Sequence, residues 1–339
     1  MDGKKDGCQV TNLVRRWLLV GLLATLAGTS VHTFLFDGSP FHKYITSKDA
    51  RERVHDQEIG EMSADYLFGG GQVNPSRMEE VSKPAKQSAE ESFAWLQQVR
   101  GYERWFLAVL LVSMGLVLVF EPKVKDHPGL AALYLAAGGY LLLQAYAAKL
   151  NGGKGFANLE VGAHAARYGL AILLVGFLAL RHVPDKRKPQ FQQGLFFLGA
   201  AACSFTFAIH GWEALNKNAA FVDLIIGSAN RIYLELPEEF VAKLLVGIGV
   251  MDLVLAILVV VCPNRKLLVW MATWGLVTAL SRPLSMGLGA WYETAARTGN
   301  FVLPYCLAML LSIGICGSLS RCISCAFFPS RPGDLKPQN

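Results

Sequence analysis

Apolar residues in this chain come in unbroken blocks, and they do not alternate with polar ones. The blocks run over 17–36, 102–120, 130–150, 159–180, 192–215, 238–262, 267–286 and 290–316. Each is close to the ~20 residues of helix that cross a hydrocarbon layer. Inside lipid only helices or a closed barrel satisfy every backbone N–H and C=O. A barrel strand reads as alternation, whereas these blocks are continuous runs of Leu, Ala, Val and Gly. The pattern therefore predicts an all-α polytopic membrane protein with eight transmembrane helices.

The breaks between blocks carry helix-ending chemistry. They are Glu121-Pro122, His127-Pro128, the glycine-rich 151–155, and 183–189 with its prolines and basic residues. Proline and glycine stop helices for backbone reasons. Three stretches are too polar to span. Residues 37–100 are mixed in charge, include Gly69–Gly71 and read as a loop region with two short helices. Residues 216–237 are amphipathic, and Phe221, Leu224, Ile225 and Ile232 suit a helix lying along the membrane surface. The tail, 321–339, is basic, contains proline and reads as disordered.

Charge then orients the bundle. Lys and Arg total 32 against 26 Asp and Glu, a formal +6. The excess sits beside the spans: Lys4, Lys5, Arg15 and Arg16; Lys123 and Lys125; Arg181, Lys186, Arg187 and Lys188; Arg265 and Lys266; Arg321 and Arg331. With alternating spans all these groups fall on one side, which the positive-inside rule makes cytoplasmic. No nucleic-acid partner is needed to account for them. Residues 1–36 then form an uncleaved first helix from a cytoplasmic N-terminus, and 37–100 lie outside. Spans two to four occupy 101–181, a second four-helix unit occupies 191–316, and 317–339 is a cytoplasmic tail. The expected location is the inner (cytoplasmic) membrane, with lipid as partner. Cys203, Cys262, Cys306 and Cys316 lie within apolar blocks, which is no disulfide framework.

The two halves echo one another. Ala165-Ala166-Arg167-Tyr168-Gly169 resembles Ala295-Ala296-Arg297-Thr298-Gly299, and Glu160 and Glu293 precede them at different distances. His32 closes the first span much as His210 closes the fifth. This predicts two four-helix units in parallel repeat, related by an axis along the membrane normal.

Ionisable groups inside such blocks are costly and mark sites by default. His32, His164, Arg167, His210, Glu213, Arg282, Glu293 and Arg297, with Trp212 and Trp274, form the candidate ligand-binding set. The topology puts the charged ones near the outer ends of the spans. Arg282 is expected to pair with Glu293 or Glu160 of another span. One reading is an outward-facing polar cavity, with arginines for an anion or a quinone carbonyl and histidines for protons. The other is structural, with the groups capping helix ends and pairing to hold the bundle. Haem between two histidines is disfavoured, because most interfacial histidines bind nothing. Cys322 and Cys325 are an isolated pair, short of the four ligands a zinc site needs. No Walker sequence, dinucleotide fingerprint or nucleophile elbow is present.

The second half is similar to DoxX-like membrane proteins. The resemblance rests on His210-Gly211-Trp212-Glu213-Ala214-Leu215 at a helix end, Gly247-Ile248-Gly249-Val250-Met251-Asp252, Trp274-Gly275, and Thr278-Ala279-Leu280-Ser281-Arg282-Pro283. It covers roughly 192–312. Family members often have lysine where this chain has Ala214, so that lysine's role does not transfer. The resemblance implies a four-helix unit and, as cofactor, a quinone serving a redox subunit. A small-solute transporter, or an assembly protein with a membrane partner and no enzymatic activity, fits the same charges. The orientation makes a direct prediction. A membrane-impermeant thiol reagent should label a cysteine placed at Ser63 from outside and spare one at Gln190; labelling at Gln190 would reverse the topology.

Overall fold

The computed structural model describes residues 3–35, 39–45, 75–125, 127–151 and 156–312. Among these no strand occurs. Besides a single turn at Glu121–Val124, the α-helices are α1 (Gly3–Leu35), α2 (Pro75–Val119), α3 (Gly129–Asn151), α4 (Glu160–Ala163), α5 (Ala165–Ala179), α6 (Lys188–Leu215), α7 (Ala219–Arg231), α8 (Glu238–Val261), α9 (Arg265–Met286), α10 (Trp291–Ala296) and α11 (Gly299–Ser312). Seven stretches among the described residues are long and apolar enough to cross a membrane, and α11 is a shorter apolar helix. The protein is an all-α, multi-pass membrane protein. Gly69–Gly71, Cys316, Cys322, Cys325 and the 321–339 tail lie outside the described residues, as does the side chain of His32.

The exposed surface fits that solvent. On α2, Tyr102, Trp105, Val109, Val112 and Leu116 form an exposed stripe at helical spacing. On α8, Val250, Val254 and Ile257 do the same. Lipid tails cover such stripes without the cost they would carry in water. The core lies between the helices, with Leu18, Leu22 and Leu26 of α1, Leu170 and Leu174 of α5, Phe196 and Cys203 of α6, and Leu303 and Leu307 of α11.

Two helices organise the contacts. The first, α1, packs on α2, α5, α10 and α11. The second, α6, packs on α8, α4, α5 and α11. Small residues set how closely they approach. A side chain at Gly28 of α1 would run into the backbone of Tyr292, Ala295 and Ala296 on α10. Between α6 and α8, a Cβ on Gly249 would sit 2.7 Å from the Gly211 carbonyl oxygen, and one on Gly211 would sit 2.9 Å from the Gly249 carbonyl oxygen. This is the small-residue packing that brings helix backbones together where hydrophobic drive is absent.

One polar stretch behaves differently from its sequence reading, and a second acquires a cavity beneath it. Residues 75–119 form one helix, so the span does not begin at its apolar edge. Glu, Lys, Gln, Ala and Met before it favour helix strongly, and a helix already nucleated in the span propagates into them. The amphipathic segment forms α7, with Phe221, Leu224 and Ile225 over a cavity and Ile232, 61% exposed just past the helix end, at its edge. Lys217 and Tyr233, with φ of 52° and 60°, make the tight turns that fold α7 back onto its neighbours.

Gly249→Leu should separate α6 from α8 and cost about 1–3 kcal/mol through overpacking. Gly247→Ala, whose added methyl meets no atom within 4 Å, should leave the melting temperature unchanged or raise it. Melting curves in detergent compare the two, and equal behaviour would show that the crossing tolerates bulk.

Candidate functional site

Two interrupted helices build the site. In the first, a single 3-10 turn (Ala157–Leu159) leads into α4, the chain breaks at His164 (φ −96°, ψ 8°), and α5 continues. In the second, a 3-10 turn (Leu288–Ala290) leads into α10, the chain breaks at Arg297 (φ −98°, ψ 7°), and α11 follows. Each short helix places a glutamate four residues before the break. Glu160 lies 3.5 Å from His164, and Glu293 pairs with Arg297.

A break frees backbone groups that lipid cannot satisfy. The Ala166 N–H donates to Thr206 Oγ1 of α6 at 3.0 Å. A third irregularity is answered in the same way. Pro283 inside α9 has no N–H for the Ala279 carbonyl, and Thr294 Oγ1 donates to that carbonyl at 2.9 Å. The two breaks touch at Gly299, where a Cβ would lie 2.9 Å from Arg167 Cα and 3.0 Å from the Ala166 carbonyl oxygen. That contact brings Arg167 and Arg297 to one place.

Two adjoining cavities open there. The polar one, about 440 Å³, is lined by Glu160, His164, Arg167, His210, Glu213, Arg282, Glu293 and Arg297, with Gln144 and Pro40 on its rim. The apolar one, about 370 Å³, lies between α6, α7, α8 and α9. Its walls are Phe207, Phe221, Leu224, Ile225, Leu245 and Ile248, and its polar points include His210, Asp252, Trp274, Arg282 and Asn300. His210, Phe221, Arg282 and Arg297 belong to both cavities.

Seven of the sequence-selected charged and polar groups thus meet, with Glu160 beside them, and Trp274 joins them from the apolar side. Trp212 does not. It is 52% exposed on the far face of α6 and lines neither cavity. At 100° per residue, the position two after His210 points away from it.

The expected ion pair of Arg282 is also absent. Arg282 makes no ion pair or hydrogen bond with any described residue. The nearby carboxylates are engaged on their own helices. Glu213 is 3.3 Å from His210, one turn before it, and Glu293 is held by Arg297, one turn after it. Partners in the same helix need no second element to be brought into register. Further buried atoms lack hydrogen-bond partners among the described residues: Arg167 Nε, Arg282 Nε, Trp274 Nε1, Asp252 Oδ1 and Asn300 Oδ1. All five of their side chains line one cavity or the other. Asp252 and Trp274 are neighbours, but their geometry makes no hydrogen bond. Buried polar atoms are normally satisfied, so a concentration of unsatisfied ones in a cavity wall points to a ligand or water there. Among the described residues no group of three or more His, Cys, Asp or Glu is placed to hold a metal ion.

Sequence reasoning missed a buried carboxylate next door. Glu103 of α2 accepts from Ser39 Oγ (2.9 Å), Tyr140 OH (3.0 Å) and Gln144 Nε2 (2.8 Å). Gln144 Oε1 accepts from Phe41 N at 3.2 Å, and Asn151 Nδ2 donates to the Pro40 carbonyl at 2.8 Å. The network fastens residues 39–45 over the rim of the polar cavity. Glu103 sits just inside an apolar block, which was the available signal.

The chain matches no family model, no curated protein and no solved structure. Its site is therefore read from its own residues.

Glu103→Leu should leave the Tyr140 hydroxyl and the Gln144 amide buried without an acceptor, costing roughly 1–3 kcal/mol. Limited proteolysis should then cut within 39–45 faster than in the parent protein. Unchanged cleavage there would mean that the network does not hold the segment.

Proposed function

We propose that this chain is a DoxX-like membrane protein of two four-helix units, whose second unit binds a lipophilic, quinone-class ligand. On this reading α10 and α11 are the eighth span in two pieces. Both termini face the cytoplasm, and the cavities open to the outside of a cytoplasmic membrane. The interrupted helices support the repeat. They share a 3-10 turn, a short helix, a break and a glutamate four residues before it. The register that matches them aligns Glu160 with Glu293 and His164 with Arg297, not Arg167 with Arg297. The contacts of α1 with α2, α5 and the α10–α11 pair parallel those of α6 with α8, α11 and the α4–α5 pair. Such pairing is what a two-fold axis along the membrane normal produces.

The observation that carries the ligand reading is the apolar cavity with its few convergent polar groups. Its volume falls in the ordinary range for small-molecule sites, about 300–1,000 Å³. A quinone offers two carbonyl acceptors on a flat apolar ring. Arg282 and Trp274 present donors, and His210 and Asp252 can exchange protons with a reduced form. One observation favours a transporter as the second reading. Interrupted helices that meet at a polar cavity recur at substrate sites in transporters.

Organic extraction and an absorbance spectrum of the purified protein test the first reading, with decylubiquinone binding as the direct measurement. His210→Ala and Arg282→Ala should each weaken decylubiquinone binding about tenfold or more, with the protein at normal abundance in the membrane. Uptake of a solute into proteoliposomes, with no quinone bound, would favour the transporter. Loss of both variants from the membrane would make the two residues structural.

A further inference from the structure

The polar cavity holds a charge arrangement that a neutral quinone does not answer. Its three glutamates each have a partner on the same helix: Glu160 with His164, Glu213 with His210, Glu293 with Arg297. What remains is Arg167 on α5 and Arg282 on α9. Neither makes an ion pair or a side-chain hydrogen bond with a described residue, and the Nε of each is buried. Arg297 and Glu293 stand close enough for their charges to act on both, as do Glu160 on Arg167 and Glu213 on Arg282, but none of these carboxylates bonds to either arginine. A buried guanidinium N–H with no acceptor is costly even where carboxylates stand nearby, because those carboxylates do not reach it with a hydrogen bond.

We infer that Arg167 and Arg282 form a binding site for an oxyanion, a carboxylate or a phosphate. The planar fork of arginine matches two oxygens of such a group and keeps its charge at any physiological pH. Two forks from different helices define a position, not merely a positive surface. The cavity is large enough for a head group, and through Arg282 and Phe221 it runs into the apolar cavity. An anionic amphiphile can therefore set its head on the arginines and its chain against Leu245 and Ile248. A small free oxyanion fills the polar cavity alone. Both present the same chemistry to the same two residues, and neither depends on a quinone binding next door.

The test uses the full-length protein in nanodiscs of zwitterionic lipid, with oleate, oleyl alcohol and inorganic phosphate as probes. Saturable oleate binding with oleyl alcohol at least tenfold weaker supports the site and makes the ligand an amphiphile. Saturable phosphate binding supports the site and makes the ligand a free solute. In either case Arg167→Gln and Arg282→Gln should each weaken binding about tenfold or more, while Lys243→Gln, an exposed change on α8, should not. Should the glutamine variants not reach the membrane, the wild-type protein answers through phenylglyoxal modification. Bound oleate or phosphate should protect the Arg167 and Arg282 peptides, as read by mass spectrometry. Equal binding of oleate and oleyl alcohol, binding of neither anion, or modification at the same rate with and without them would overturn the assignment.

Discussion

Gly299 against the backbone of Ala166 and Arg167 is the contact on which the rest of the site depends. Both helices there are interrupted, and each interruption would be untenable in lipid if its backbone faced the hydrocarbon. Pressing the two breaks together turns them inward. Thr206 then supplies the acceptor that Ala166 N–H has lost, and Thr294 supplies the donor that Pro283 removed from α9. Short polar side chains on neighbouring helices thus stand in for missing turns of helix. The irregular backbone in turn brings Arg167 and Arg297 to one place, where the two breaks touch.

The carboxylates explain why those arginines stay available. A glutamate three or four residues from a histidine or arginine finds its partner by local geometry alone. Such pairs occupy the carboxylate oxygens locally, so these do not reach across to Arg282. Arg282 reaches the cavity from α9, whose own last turn carries no acidic residue. An expected pair with Glu293 or Glu160 overlooked that competition. Opposite charges that can reach one another across helices are not pairs if each has a nearer partner on its own.

Much of the architecture was legible, because the bilayer leaves few options. Continuous apolar blocks have to be helices, and their polar breaks mark where they end. Gathering the site was legible for the same reason. His164, Arg167, His210, Glu213, Arg282, Glu293 and Arg297 all fall near one end of their helices, and seven side chains at one end of a compact bundle meet. Less visible was anything that depends on which way a helix face turns. Trp212 belongs to the right helix end and the wrong face. The apolar residues of α7 suit a membrane surface and a cavity roof equally well by composition. The reversing turns at Lys217 and Tyr233 flank the segment that roofs the cavity. Glu103 was passed over because one carboxylate in an apolar block carries no sign of the three donors that other segments bring to it.

The two cavities differ in kind, and their shared wall makes the difference useful. Leucines, isoleucines and phenylalanines line the cavity that Arg282 shares with the polar one. With less water to screen it, a guanidinium binds an oxygen more strongly and is costlier when left empty. The apolar cavity therefore sharpens the polar one. A ligand that is apolar throughout leaves the arginines unanswered, and one that is polar throughout leaves the hydrocarbon wall uncovered. On the proposed reading, the arrangement as a whole suits a molecule with both characters, or two molecules side by side, one for each half.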